Sequence, residues 1–277
     1  MPSLTSLVIL SAVESLVASS LDTGDCGVGV RPTVEEVYPT ATVLPSNLLR
    51  FYIYFDSEMD RHSAHDQIVV QNGHGDRVDD LLLDSRFELW SENARRLTIV
   101  LDPGRVKTGL SNAQWLDDGL QDGEEFVLVV GLGVSATNGC ELATEFRHHF
   151  FVTGRDTNIP DPLTWNLRVP QAESWEPLEV ELTKPLDHLS LAHRIRVRTP
   201  SGQLVSGRIE IGENDETWRF TPTQPWAPDH YQLVVDPALE DLAGNRPTGL
   251  FDDPTGESRT RQASAAPIVV SFTVDSG

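Results

Sequence analysis

Basic residues are scarce in this chain. Its 277 residues carry 21 Lys and Arg against 42 Asp and Glu, a formal charge of −21. A nucleic-acid interface needs a cationic face to meet phosphates, so that balance excludes nucleic acid as a partner class. It also disfavours an anionic membrane surface and fits a well-solvated acidic exterior. Cysteine is nearly absent. Cys26 and Cys140 are the only two, with no C-x-x-C, too few to make a zinc site by themselves. Either they pair, tying the N-terminal lead to the first half of the chain, or they are two unpaired thiols. Beyond the N-terminus no apolar run approaches the length needed to span a bilayer, so no transmembrane segment is expected in the mature chain. The N-terminus itself, Met1–Ser20, has an apolar run followed by small residues, as a secretory signal peptide does. It lacks Lys or Arg before that run, and Glu14 interrupts it. Export is the reading taken; a mis-assigned start and a short amphipathic helix are the alternatives.

What is present is a repeat. Phe55–Val78 and Leu182–Val205 align without a gap. Asp60 meets Asp187, Ser63 meets Ser190, Ile68 and Val70 meet Ile195 and Val197, and Gly75 meets Gly202. One supersecondary unit used twice implies two copies of one domain, and the length allows each its own core. Eighteen Pro and twenty Gly are scattered rather than gathered, which suits short strands joined by turns. Leu48–Phe55 alternates, with Leu49, Phe51, Ile53 and Phe55 on the face expected to be core. Leu178–Leu182 does the same in the second copy. Strands are further expected at Gln67–Gln71, Phe87–Trp90, Arg96–Leu101, Glu125–Val130 and Phe150–Val152. Those of the second copy are Arg194–Arg198, Arg208–Ile211, Thr217–Phe220, Tyr231–Val235 and Ile268–Val274. Asp60 and Asp187 sit in short turns, where a carboxylate can accept backbone N–H groups and cap a helical turn.

The motif order then becomes specific. Lys184-Pro185-Leu186-Asp187, Trp218-Arg219-Phe220-Thr221-Pro222 and Glu240–Asn245, with its Asp-Leu-Ala-Gly-Asn, mark the second copy. Phe55–Asp60 marks the first, which departs at Ser135–Cys140. This resembles the bacterial Ig-like domain family of the SbsA type, also called Big_5, from about Arg31 onward. The resemblance implies an all-β chain of two tandem Ig-like β-sandwich domains on a secreted or surface protein, and it implies no catalytic residues. The expected layout is a signal peptide and disordered lead over 1–30, then a first domain over 31–153 with a long loop at 104–125. A linker over 154–163 leads to a second domain over 164–277 with a flexible loop at 246–267. Asp60, Asp187, Asp241, Gly244 and Asn245 are read as structural turn residues.

Candidate chemistry is sparse. Asp56, Glu58 and Asp60 look like the start of a calcium loop, but Gln67 stands where an EF-hand needs Glu and the internal Gly is missing. Calcium held by loop carboxylates stays as the alternative cofactor; otherwise none is expected. His62 and His65 share one side of a helical turn, yet no spacing fixes a third ligand. His148 and His149 are strand neighbours on opposite faces. Gly131–Ala136 fits part of a dinucleotide fingerprint but leads into a turn, Thr137-Asn138-Gly139, not a helix. No G-x-S-x-G occurs, and Cys140 has no local base, so no enzyme is expected.

The copies differ most between Pro103 and Phe126, where the first is longer by about fourteen residues. That loop carries Arg105, Lys107 and Trp115, the candidate ligand-binding residues; long loops on rigid sandwiches are where binding resides. The blander reading is that Trp115 plugs one end of the sandwich. The function expected is a non-enzymatic structural or adhesive protein, secreted, periplasmic or on the cell surface. Its partners there would be protein or glycan. The alternative is a calcium- or carbohydrate-binding protein using the long loop; a hydrolase stands third.

Overall fold

Strand β3 (Arg50–Phe55) shows how the sequence pattern becomes a layer. Phe51, Ile53 and Phe55 are buried at 1% exposure or less, as their alternation predicts. They face a sheet that also buries Leu128, Val130, Phe150 and Val152, forming one apolar core. Each such side chain taken out of water stabilises the fold by about 1.5–3 kcal/mol. The computed structural model describes residues 26, 29–64, 66–83, 89–102, 104, 119–253 and 266–276.

In the first sandwich one sheet contains β1 (Val34–Tyr38), β3, β6 (Arg96–Val100) and β5 (Leu89–Trp90), in the order β1-β3-β6-β5. The facing sheet contains β2 (Val43–Pro45), β8 (Phe146–Thr153), β7 (Glu125–Val130) and β4 (Ile68–Asn72), in the order β2-β8-β7-β4. In the second sandwich β9 (Asn166–Arg168), β10 (Leu178–Glu181), β13 (Thr217–Pro222) and β12 (Gly207–Ile211) lie in the order β12-β13-β10-β9. They face β11 (Ile195–Arg198), β14 (Asp229–Val235) and β15 (Ile268–Val274), in the order β11-β14-β15. With β1 and β3–β8 of the first copy, and β9–β15 of the second, each lettered A to G in chain order, both copies set A-B-E-D strands against C-F-G strands. This is the Ig-like arrangement, and the first copy adds β2 beside G. The second adds a tyrosine corner. At the start of β14, Tyr231 donates its hydroxyl to the Ala227 carbonyl four residues back, at 3.1 Å. The chain is all-β with Ig-like sandwiches, as the sequence implied.

The second core is richer in aromatic residues. Trp218, Phe220, Trp226, Tyr231 and Phe272 are in mutual ring contact. Both buried indoles find acceptors, Trp218 in the Leu191 carbonyl at 3.1 Å and Trp226 in that of Glu176 at 2.8 Å.

Two local expectations are revised. Helix α1 (His188–Arg194) takes up residues expected as a turn, and Arg194 is its last residue rather than the first of β11. Asp187 caps it, accepting the Ser190 N–H at 2.9 Å. Strand β8 begins at Phe146, four residues earlier than expected, because β7 pairs with it from Glu125 to Val130. Of the strand expected at Phe87–Trp90, Leu89–Trp90 is observed, and Phe87 and Glu88 lie outside the described residues.

Candidate functional site

The feature that joins the two copies is a junction built from turns. Strands β3 and β10 both run toward the end of their sandwich that carries the Asp60 or Asp187 turn, here called the upper end. In the second sandwich that end comprises Asp187–His188, the turn holding Asp215, and Glu240–Asn245. It is packed on the outer side of β1 and β3 of the first sandwich.

Leu242 supplies the apolar contact. It is 7% exposed and belongs to the core of the first sandwich, although its own strands build the second. Leu49 donates its backbone N–H to the Leu242 carbonyl at 3.0 Å. Gly244 takes φ +76, and a side chain there would collide with Leu49, so glycine serves both the turn and the close approach. Phe251 packs on the same core, and Arg155 pairs with Asp252 at 2.9 Å. The segment expected to be flexible from Arg246 onward therefore begins as an ordered turn, in which Arg246 and Gly249 exchange backbone hydrogen bonds. Residues 254–265 lie outside the described residues.

Charge is paired around this plug. Lys184 Nζ reaches Asp241 Oδ2 at 2.5 Å, Asp156 Oδ2 at 2.7 Å and the Asn158 carbonyl at 2.5 Å. Asp241, with its side chain fully buried, also accepts the backbone N–H groups of Ala243 and Asn245. Burial nonetheless pushes its pKa up to about 6, against the pull of Lys184. Asn245 Nδ2 and Asn47 Nδ2 both donate to the Asp156 carbonyl, so the linker is tied to both sandwiches.

A second group lies on the β1–β3 face. Tyr52 donates its hydroxyl to Asp187 Oδ2 at 2.7 Å. Arg50 lies between Asp187 and Glu240, and Glu240 also pairs with Arg246 at 2.6 Å. Burial and then the Asp187 charge raise the Tyr52 pKa, which keeps it a donor. Burial works against the charge on Arg50, but its anionic neighbours outweigh it. Asp215, fully buried, accepts the Thr40 N–H at 3.0 Å and meets His188 Nδ1 at 3.1 Å. The His188 ring stacks on Tyr38 at 3.5 Å between centroids. Burial, then Glu36, pushes the Tyr38 pKa to about 12. These contacts explain why Tyr52 is 3% exposed while pointing away from its own core: the second sandwich covers it.

The first sandwich repeats the scaffold of this edge but not its contacts. The bridges Met59–Ala136 and Leu186–Asp241 set the copies in register. Ala136 then stands for Asp241, Thr137 for Leu242 and Ser135 for Glu240. Ala94 stands for Asp215; both take positive φ, 51° and 55°. Ser57 stands for Lys184. Cys140 takes the place of Asn245 and is joined to Cys26 with the two Cα atoms 4.9 Å apart. Asp60 remains, accepting the His62 N–H at 3.0 Å, but it is exposed.

Of the residues singled out in sequence, Asp187, Asp241, Gly244 and Asn245 come together here, and Asp60 lies in the matching turn of the first sandwich. Arg105, Lys107 and Trp115 lie outside the described residues, as does His65. Asp56 is engaged by Thr33, which donates from its N–H at 3.0 Å and its hydroxyl at 2.7 Å. Among the described residues no three His, Cys, Asp or Glu side chains gather as a metal site would require. Gly131–Ala136 is part of the turn between β7 and β8, with no helix following. A cleft of about 250 Å³ opens at the β4 and β6 side of the first sandwich, lined by Ile68, Val70, Leu82 and Ile99, with Arg77 and Asp80 also at its walls.

Sequence reasoning missed Lys184, Asp215, Glu240 and Leu242 as junction residues. The available signal was the departure at Ser135–Cys140: an apolar Leu242 between Asp241 and Ala243, where the first copy has Thr137.

No protein-family model and no curated protein matches the chain. Among solved structures it is similar to the surface layer protein SbsC, domains 1–6, at 14% identity and TM-score 0.31, over 74% of this chain and 24% of that one. It is similar to alpha-2-macroglobulin from Escherichia coli, domains MG0-NIE-MG1, at 11% identity and TM-score 0.29, over 75% and 66% of the two chains. The titin Ig tandem A164-A165 matches at 10% identity and TM-score 0.26, over 90% and 99%. The chain spans between a quarter and about two fifths of the length of the S-layer structures it matches. Likenesses this distant carry no argument about function, and the Ig-like assignment stands on strand order.

Proposed function

We propose that this chain is a non-enzymatic structural module of an exported or cell-surface protein, whose job is to hold two Ig-like sandwiches in one fixed orientation. The observation that carries the reading is Leu242, a residue of the second sandwich seated in the core of the first. Tandem domains joined only by a linker reorient by default. Here an apolar plug, flanked by Arg50 of the first sandwich paired with Asp187 and Glu240 of the second, opposes that motion. The paired Cys26 and Cys140 fit an oxidising compartment.

Small-angle scattering of the full chain tests this. One rigid envelope should fit the wild type, and Leu242→Asp should broaden the distribution of distances between the two sandwiches. A wild-type chain whose sandwiches already reorient freely would overturn the reading.

A further inference from the structure

The two copies differ at one more place, the outer edge of their last strand. In the first sandwich β8 is an interior strand, with β7 on one side and β2 on the other. Strand β2 runs parallel to it, pairing Val43–Pro45 with Phe151–Thr153. In the second sandwich β15 occupies the matching place, with β14 on one side. Among the described residues no strand pairs with its other side, and no backbone hydrogen bond reaches it from outside β14.

The reason is a shorter connection. Tyr38 on β1 pairs with Tyr52 on β3, whereas Arg168 on β9 pairs with Glu179 on β10, so the second link between these strands is three residues shorter. Strand β2 is three residues long. What remains of the link is held elsewhere: Glu173 donates its N–H to the Trp226 carbonyl at 2.7 Å, and Trp226 donates back to Ser174 at 3.0 Å. Among the described residues, therefore, the second sandwich supplies no covering strand for β15.

Edge strands are normally guarded by charge, Pro, bulges or brevity. Strand β15 itself carries none of these, and what lies beside it is the single-turn helix Pro162–Thr164 rather than a paired strand. It reads Ile268-Val269-Val270-Ser271-Phe272-Thr273-Val274, and it pairs with β14 along its whole length without a bulge. Its outward side chains are Val269, Ser271 and Thr273, all exposed. In a chain of net charge −21 this uncharged segment is where a second copy can approach without setting like charges opposite each other.

We infer that the open edge of β15 is a self-association surface, where two copies of this chain pair β15 to β15 antiparallel into a continuous six-stranded sheet. The register that uses all seven residues centres on Ser271, so each Ser271 faces its partner's. Asp275, the nearest acidic residue beyond the strand, then lies opposite Pro267 rather than another carboxylate. The interface is isologous, as two-fold dimers require.

Sedimentation of the full chain over a wide concentration range tests this, using wild type, Ser271→Lys and Ser271→Glu. Ser271 is exposed, so unchanged thermal unfolding of each variant verifies that the sandwich is intact. The wild type should form dimers. Each variant alone should lose them, because it places a charge opposite its own copy, and an equimolar mixture of the two should regain them. A wild type that stays monomeric, or variants that dimerise as well as it does, would overturn the proposal. So would dimers that fail to return on mixing.

Discussion

Leu49 and Leu242 meet backbone to backbone at 3.0 Å, although one belongs to the first sandwich and the other to the second. Their contact makes Leu242 part of a core it does not share a sheet with. Truncating a buried Leu costs the lost transfer energy and leaves a cavity. Leu242→Ala should destabilise the chain by about 2–4 kcal/mol. Urea unfolding reads this, and the transition should become less cooperative as the sandwiches uncouple. A midpoint within error of wild type would show that Leu242 is not a coupling residue.

Lys184 and Asp241 give a sharper test. Removing the cation leaves a fully buried carboxylate without its charge partner. Breaking one side of such a pair typically costs about 3–5 kcal/mol, while replacing both costs much less. Lys184→Met should therefore destabilise strongly, and adding Asp241→Asn should recover part of the loss, because Asn can still accept the Ala243 or Asn245 N–H. A double-mutant cycle measures the coupling. Additive effects would mean that Lys184 is held chiefly by Asp156 and Asn158.

Much of each sandwich was legible because strands announce themselves locally. Ile195 and Val197 alternate with Arg196 and Arg198, and the structure buries the first pair. Asp187 reads as a cap because its acceptor role is spent three residues away. The junction is different. Arg50 and Glu240 are 190 positions apart, and nothing within either segment records the other. Period two marks Tyr52 as outward, which is right for the sheet, yet it is buried because another sandwich lies over it. The contrast between copies was the usable signal. Length drew attention to the loop after Pro103, while the decisive contrast was in side-chain type, Leu242 against Thr137 and Asp241 against Ala136.

Acid should act on stability through two groups of opposite sign. Asp241 is raised from 3.8 to about 6, so the folded chain holds its proton more tightly than the unfolded chain does. Stability from Asp241 is fully present below 3.8 and is lost as pH rises through about 6. Burial holds the His148 pKa below 6.5, so its contribution is present above 6.5 and is lost as pH falls toward the folded value. Urea midpoints between pH 7 and 5 separate them. Compared with wild type, Asp241→Asn should lose more stability on acidification and His148→Phe should lose less. Variants that track the wild-type profile would remove both groups from the account.

Cys140 stands where the second sandwich has Asn245, and its bond to Cys26 is the N-terminal lead's covalent tie to the upper end of the first sandwich. The bond closes a separation of 114 residues. Cross-links over loops of this size restrict the unfolded chain and stabilise by about 2–4 kcal/mol. Reduction should lower the thermal midpoint of the wild type, and Cys26→Ser should match the reduced protein and stop responding to reductant. Cys140→Ser should fall further, because Cys140 is fully buried and a hydroxyl there needs a partner that sulfur does not. If the unreduced, denatured chain titrates with two free thiols, or if reductant leaves the wild-type midpoint in place, the bond makes no contribution to stability.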